Sequence, residues 1–335
     1  MIVDGVAAKS IASCADCIID GGLVGMPTET VYGLAADACN ASAIARVFAA
    51  KGRPPEHPLI VHVADAAAVA RFAQNVPAFA EALMQAFWPG PLTLILPRRA
   101  EVAAVAAAGQ NTVGLRSPSH PVARSLLQAC ALRGVHGLAA PSANQFGRVS
   151  PTTAAHVQDE FDSALLILDG GACSVGIEST IVDCSRGAPV LLRPGAITQQ
   201  QVQAVCGRQV LSNDELSTLA APAPRASGTL ESHYAPTATL RLMDAKALQT
   251  ALDLLGPEVD RGTATIATYS RVVLTTGSHR VLRKQMPADA AATAQQLFAV
   301  LREFDAHGVA LIWVETPPPT PAWDAVRDRL QRAAA

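Results

Sequence analysis

The sequence predicts an α/β protein in two parts: a twisted mixed sheet carrying an open basic cleft, then a smaller Rossmann-like unit. Three observations lead there. From about residue 24 to 192, short runs rich in Val, Ile and Leu alternate with alanine-rich helical stretches, as in a largely buried sheet. The runs are spaced too unevenly for a regular Rossmann repeat, so the sheet is expected to be mixed. Periodicity then lapses near residue 211 and resumes near 239 as a second alternating set.

In chain order, strands are expected at 23–26, 59–63, 92–96, 112–115, 137–140, 165–168, 180–182 and 190–192. Helix starts are marked by Asp65 before 66–73, by Ser150 with Pro151 as cap and first-turn proline, and by Thr198 before 199–206. Residues 1–207 thus make a first domain. A linker over 208–238 is punctuated by Pro222, Pro224, Ser227, Gly228 and Pro236 and contains His233-Tyr234-Ala235-Pro236. So long a connection suggests a functional segment, here a lid. The last domain, 239–335, has strand patterns at 239–243, 263–268, 280–282 and 310–314 and helical ones at 245–255, 289–305 and 323–332. It lacks a GxGxxG fingerprint, so no dinucleotide is assigned to it.

Composition sets limits. A chain of 335 residues, 50% hydrophobic, has material for two cores. Its formal charge of −2 argues against coating nucleic acid, although a local basic cleft with weak direct nucleic-acid binding stays open. Seven scattered cysteines suit reduced thiols, and Cys14 and Cys17, in register with Ile11 and Ile18, read as helix core. Apolar runs fall well short of the ~20 residues of a membrane span and no charged-then-apolar leader opens the chain, so a cytoplasmic protein is expected.

Polar residues gather where strands end, positions at which a rigid sheet holds side chains still. The first group is Pro27-Thr28-Glu29-Thr30-Val31-Tyr32-Gly33, a shaped loop of hydroxyls, a carboxylate and a phenol that also reads as a capped turn. Lys51-Gly52-Arg53 follows a helix, and Lys51 is the only lysine between residues 10 and 245. The two cations can converge on one anion, or simply complement a helix dipole. His57 and His62 come next, the latter inside an apolar strand where a core histidine is the plainer reading. Thr112 and Arg116 begin and follow another strand; Ala140, Ser142 and Asn144 lie in APSAN; Ser150 stands at an expected helix start, where capping alone would account for it. Glu178-Ser179-Thr180 and Arg193 complete the set. Four cations among many hydroxyls suit a triphosphate and a carboxylate. Walker, kinase, HExxH and GxSxG patterns are all missing.

PTETVYGL, KGRP followed by PLIVHV, VGLRSP, APSAN, GIESTIVD and LLRPGAI, in this order and spacing, resemble the threonylcarbamoyl-AMP synthase family with its YrdC-like domain. The likeness covers about residues 10–207, and HYAP with the trailing α/β unit resembles the family's long, two-domain branch. It implies a nucleotidyltransferase that makes L-threonylcarbamoyladenylate and pyrophosphate from L-threonine, bicarbonate or CO2, and ATP. A downstream tRNA threonylcarbamoyl transferase system then modifies an adenosine of tRNAs reading ANN codons. By the same resemblance Thr30, His62, Arg116, Ala140 and Ser179 would contact threonine. Arg53, His57, Thr112, Ser142, Asn144, Ser150, Arg193 and Tyr234 would contact ATP, with Lys51 and Arg53 catalytic. A magnesium ion (Mg2+) would be held mainly by ATP phosphates. Carboxylating the amine creates an oxygen that attacks phosphorus, so alignment and charge neutralisation are what the protein must supply. The rival reading is a double-stranded RNA-binding module of the same fold, which 4% aromatic residues leave without a stacking surface.

Overall fold

A computed structural model of the chain describes residues 1–161, 163–212, 223–228, 232–262 and 265–335. The start of the strand expected at 263–268, and parts of the linker at 213–222 and 229–231, lie outside the described residues. Two compact units emerge, Met1–Phe146 with Ser150–Thr229, and Gly147–Val149 with Leu230–Ala335.

The first unit is built on a mixed sheet of 11 described strands, in order β1-β8-β2-β3-β7-β4-β6-β5-β9-β10-β11. These are β1 (Ile2–Asp4), β2 (Val24–Met26), β3 (Gly33–Asp37), β4 (Ile60–His62), β5 (Leu92–Pro97), β6 (Thr112–Arg116), β7 (Leu138–Ala139), β8 (Leu166–Asp169), β9 (Thr180–Asp183), β10 (Val190–Arg193) and β11 (Leu211–Ser212). Three were not legible as strands. β1 and β11 are very short, and β3 reads GLAAD, an alanine-rich string without β-branched residues.

Side-chain alternation explains which face is closed. Leu34, Ala36, Val61, Leu94, Leu115, Ala139 and Val182 share one cluster with residues of α2 (Ala41–Lys51), α4 (Ala78–Phe87), α6 (Ala154–Glu160) and α7 (Gln199–Cys206). The alternate positions Val24, Met26, Ala35, Leu138 and Ala140 pack instead under α1 (Ala8–Ile19) and α5 (Pro121–Ala131). Cys14 is buried there and Cys17 half-buried. Where that second face continues across β4, β6, β5 and β9, the cluster shrinks to Ile95, Ile181 and Ala226 with Ile60 and Leu192, none from a helix. No described helix covers that stretch of sheet; its side chains are buried instead under Ala226 and its neighbours.

Caps place the loops beside it. Asn40 accepts from Ala43 N to start α2, and Gly52, at φ 60°, ends it in the left-handed region. Asp65 caps a short 3-10 helix that leads into α3 (Val69–Phe72), and Thr198 forms a capping box with Gln201 on α7. Ser150 is not the cap expected from sequence. Thr153 starts α6 by accepting from His156 N, while Tyr32 N takes Pro151 O and holds the 150–152 stretch extended against the first loop.

The second unit is a four-stranded parallel sheet in order β12-β15-β13-β14, from β12 (Thr239–Met243), β13 (Ile266–Ser270), β14 (Leu282–Gln285) and β15 (Leu311–Glu315), with α8 (Ala245–Asp260), α9 (Ala290–Ala306) and α10 (Asp324–Ala333). Among the described residues, no helix is long and apolar enough to cross a membrane.

Candidate functional site

The stretch without a helix carries a row of buried polar side chains at one end of adjacent strands. His62 pairs with Arg116 across β4 and β6. β6 runs antiparallel to β5, with Leu115 opposite Leu94, so Thr93 comes up beside Arg116. Thr93 pairs with Ile181 of β9, and Ile181 with Arg193 of β10. Ser179, just before β9, closes the row. Its Oγ lies 2.7 Å from Thr93 Oγ1, and Arg193 donates to its carbonyl at 3.0 Å and its hydroxyl at 3.2 Å.

At the His62 end, the PTET loop folds on itself. Thr28 Oγ1 donates to Val31 O and accepts from Thr30 and Val31 N, which fixes Thr30 against it. Arg116 Nη1 then donates to Thr30 Oγ1 at 2.8 Å, Nε to Gly90 O at 3.3 Å, and Nη2 pairs with Glu29 Oε1 at 2.8 Å. Burial opposes the charge of Glu29, but Arg116 and the Ser119 N–H outweigh it, and the carboxyl sits below its usual range. Burial, helped by Arg116, pulls His62 down to about 3, so its imidazole is neutral at physiological pH. Its Nδ1 is buried without a hydrogen-bond partner among the described residues. Gly33 crosses APSAN closely: a Cβ there would lie 2.9 Å from that of Ala140.

Lys51 is where sequence and structure differ most. Its ammonium does not stand free at a helix end. It is 2% exposed and donates to the backbone carbonyls of Ser142, at 2.6 Å, and Asn144, so it ties down the APSAN loop from beneath. Burial, reinforced by Arg53, draws it down to about 7. Arg53 is buried too; it donates to Pro58 O and, at 3.3 Å, to Ser227 Oγ, with Phe146 under its guanidinium. His57 leans on the same Phe146 ring. Arg193 Nη1 reaches Ser227 O at 2.8 Å, so Arg53 and Arg193 converge on one residue. Thr112 and Gly114 line the floor between them. Ser150 is fully buried, its hydroxyl bonded to Glu178. Tyr234 lies in the second unit at φ 63°, its ring beside His233, Phe298 and Arg329.

Several contributors had no sequence signal of their own. Thr93 is one hydroxyl in an apolar strand, and Glu29 was visible in PTET without a stated partner. Arg225–Ser227 lies over the floor, with Ala226 against Ile95 and Ile181. Gln110 grips the Arg225 backbone through both N–H (2.8 Å) and C=O (3.2 Å). About 20 Å³ remains free beneath, roughly one water, so a nucleotide can occupy this floor only if the segment moves. A roomier depression of about 690 Å³ beside Trp88 offers Arg124 against Asp65 and Glu81, the wrong charge balance for a triphosphate. No group of three or more metal-ligating side chains occurs among the described residues.

Comparison with known proteins adds a second line. Residues 16–195 match a sequence profile of the Sua5, YciO and YrdC proteins described as telomere recombination, and residues 197–335 one described as the C-terminal domain of threonylcarbamoyl-AMP synthase. The threonylcarbamoyl-AMP synthase of Bacillus subtilis is 37% identical over 333 residues, which covers 97% of this chain and 92% of that protein. That of Pyrococcus abyssi is 35% identical over 330 residues, 97% and 94%. The crystal structure of P. abyssi Sua5 complexed with L-threonine matches with a TM-score of 0.88 at 33% identity, over 100% of this chain and 97% of that one.

Proposed function

This chain belongs to the threonylcarbamoyl-AMP synthase family, and we propose that the helix-free face of its first unit makes L-threonylcarbamoyladenylate from L-threonine, bicarbonate or CO2, and ATP. The observation that carries the reading is the row His62, Arg116, Thr93, Ser179, Arg193, with Arg53 meeting Arg193 at Ser227. In this reading the Arg116 end takes the carboxylate and the Arg53 and Arg193 end the phosphates, and the relatives' named activity favours it over RNA binding.

Arg116 takes the threonine carboxylate, and Thr30 and the neutral His62 read its hydroxyl and amine, with Ala140 and Ser179 around them. One carbamate oxygen attacks the α-phosphorus in line as the bond to pyrophosphate breaks, so no protein nucleophile is needed. Arg53 and Arg193, with Lys51 at the Ser142 and Asn144 carbonyls, neutralise charge growing on the leaving group. His57, Thr112, Ser142, Asn144 and Ser150 hold the rest of ATP. Mg2+ would be held mainly by the phosphate oxygens of ATP and would add charge neutralisation there. Arg225–Ser227 acts as a lid that lifts for ATP and then keeps water from the labile product.

The test is pyrophosphate release by the purified chain, with ATP, magnesium, bicarbonate and threonine each omitted in turn. Release should need all four. Release without threonine or bicarbonate would sink the assignment.

A further inference from the structure

Glu29 plays no part in the proposed reaction, yet both of its carboxylate oxygens are engaged. Its ion pair with Arg116 is 2.8 Å long, with side chains 4% and 6% exposed on the arginine and glutamate sides. Its other oxygen accepts from Ser119 N at 3.1 Å, which anchors it to the turn just past β6. Arg116 Nε and Nη1 make hydrogen bonds to Gly90 O and Thr30 Oγ1, while Nη2 meets Glu29 Oε1 as an ion pair rather than an aligned hydrogen bond. A guanidinium has five N–H donors, and these contacts leave at least one on each terminal nitrogen. Two such donors side by side are what a carboxylate takes in bidentate fashion.

We infer that Glu29 is the positioning residue that aims Arg116 at the substrate carboxylate. It makes no contact with the reacting atoms. It fixes the roll of the guanidinium, because Thr30 and Gly90 alone leave Nη2 without a partner, and it keeps a buried cation paired while the site is empty. A glutamine cannot replace it. An amide has one acceptor oxygen, so its NH2 would face either the Arg116 Nη2 or the Ser119 N–H donor to donor, and the fork would turn away from its aim.

The inference rests on the threonine-adenylating reading, and the experiment separates the two. Binding of L-threonine and of threoninol, which lacks the carboxylate, is measured calorimetrically on the wild-type chain, Glu29→Gln, Arg116→Lys and the double variant. Wild-type protein that does not prefer threonine over threoninol refutes the threonine reading itself. Given that preference, Glu29→Gln should lower it at least tenfold and raise the threonine KM at least as much, with the ATP KM unchanged within twofold. In the Arg116→Lys background the same change should have little further effect, since there is no fork left to aim. Glu29→Asp, which restores the charge, should recover part of the preference. An unchanged or tighter threonine affinity in Glu29→Gln would overturn the inference and leave Glu29 as a counter-charge only. So would a loss shared equally by threonine and threoninol, the mark of a merely structural role.

Discussion

Gln110→Ala should loosen the Arg225–Ser227 segment over the sheet floor by an amount the contacts themselves set. The Gln110 amide both donates to and accepts from the Arg225 backbone, while Arg225 Nη2 separately holds Ala108 O and Ser227 stays bonded to Arg53 and Arg193. The substitution therefore removes two hydrogen bonds and leaves the others. Two bonds at an exposed site contribute about 1–2 kcal/mol net, which multiplies the lifted population roughly five- to thirtyfold. Limited trypsin digestion reads this directly, since Arg225 is an exposed arginine followed by Ala226. With opening fast relative to cleavage, the rate of appearance of a fragment beginning at Ala226 follows the lifted population. Gln110→Glu, which keeps the acceptor for Arg225 N but loses the donor to Arg225 O, should fall between wild type and Gln110→Ala. If cleavage at Arg225 is as slow in Gln110→Ala as in wild type, at unchanged melting temperature, the grip on Arg225 is not what holds the lid.

Lys51→Met keeps the buried length but orphans the Ser142 and Asn144 carbonyls, so denaturant titration should show a loss of about 2–4 kcal/mol, with ATP affinity falling further than threonine affinity. The Lys51 amine, drawn down to about 7 in the fold against about 10.4 free, is largely neutral at pH 8 in the empty site, and polyphosphate favours its charged form. ATP binding should thus take up a proton near pH 8 and weaken as pH rises from 7 to 9; calorimetry in buffers of different ionisation enthalpy would show it, and a buffer-independent heat would count against Lys51 meeting phosphate. The same depression means that Lys51 makes the empty protein gain stability as pH climbs from about 7 toward about 10, because the unfolded chain then holds the extra proton. In a substrate panel, serine should lose roughly tenfold or more in kcat/KM through its missing methyl and valine far more through unpaired buried polar groups; valine turning over like threonine would rule out recognition by Thr30 and His62.

The parts of the fold that sequence made legible are those where one physical term dominates. Leu92–Pro97 and Thr112–Arg116 were visible because central strands concentrate β-branched and leucine residues, and Thr198 because its capping box is local. Ser150-Pro151 had the right chemistry for a helix start, yet the hydrogen bond from Tyr32 to Pro151 O claimed that stretch for a loop-to-loop contact, and the helix began at the next available cap, Thr153. Lys51 stood out by scarcity alone. That it serves carbonyls of the APSAN loop depended on where that loop docks, a contact spanning some ninety residues. Glu29 was in plain view, but nothing local pairs a glutamate before β3 with an arginine ending β6.

The convergence of the cations is a consequence of strand order, which periodicity does not encode. His62, Arg116, Thr93, Ser179 and Arg193 appear in the chain in an order unlike their order in space, because β5 inserts between β6 and β9 and pairs antiparallel with one and parallel with the other. What the sequence does encode is parity. Val61, Leu115, Leu94 and Val182 face the helices, so His62, Arg116, Thr93 and Ile181 must face the opposite side. A one-residue slip of β6 would bury Arg116 among leucines and turn Leu115 into the cleft. The apolar residues packed against the helices are therefore also what hold the polar set on the opposite face, so substitutions in the β6 core should disturb substrate recognition before they unfold the sheet.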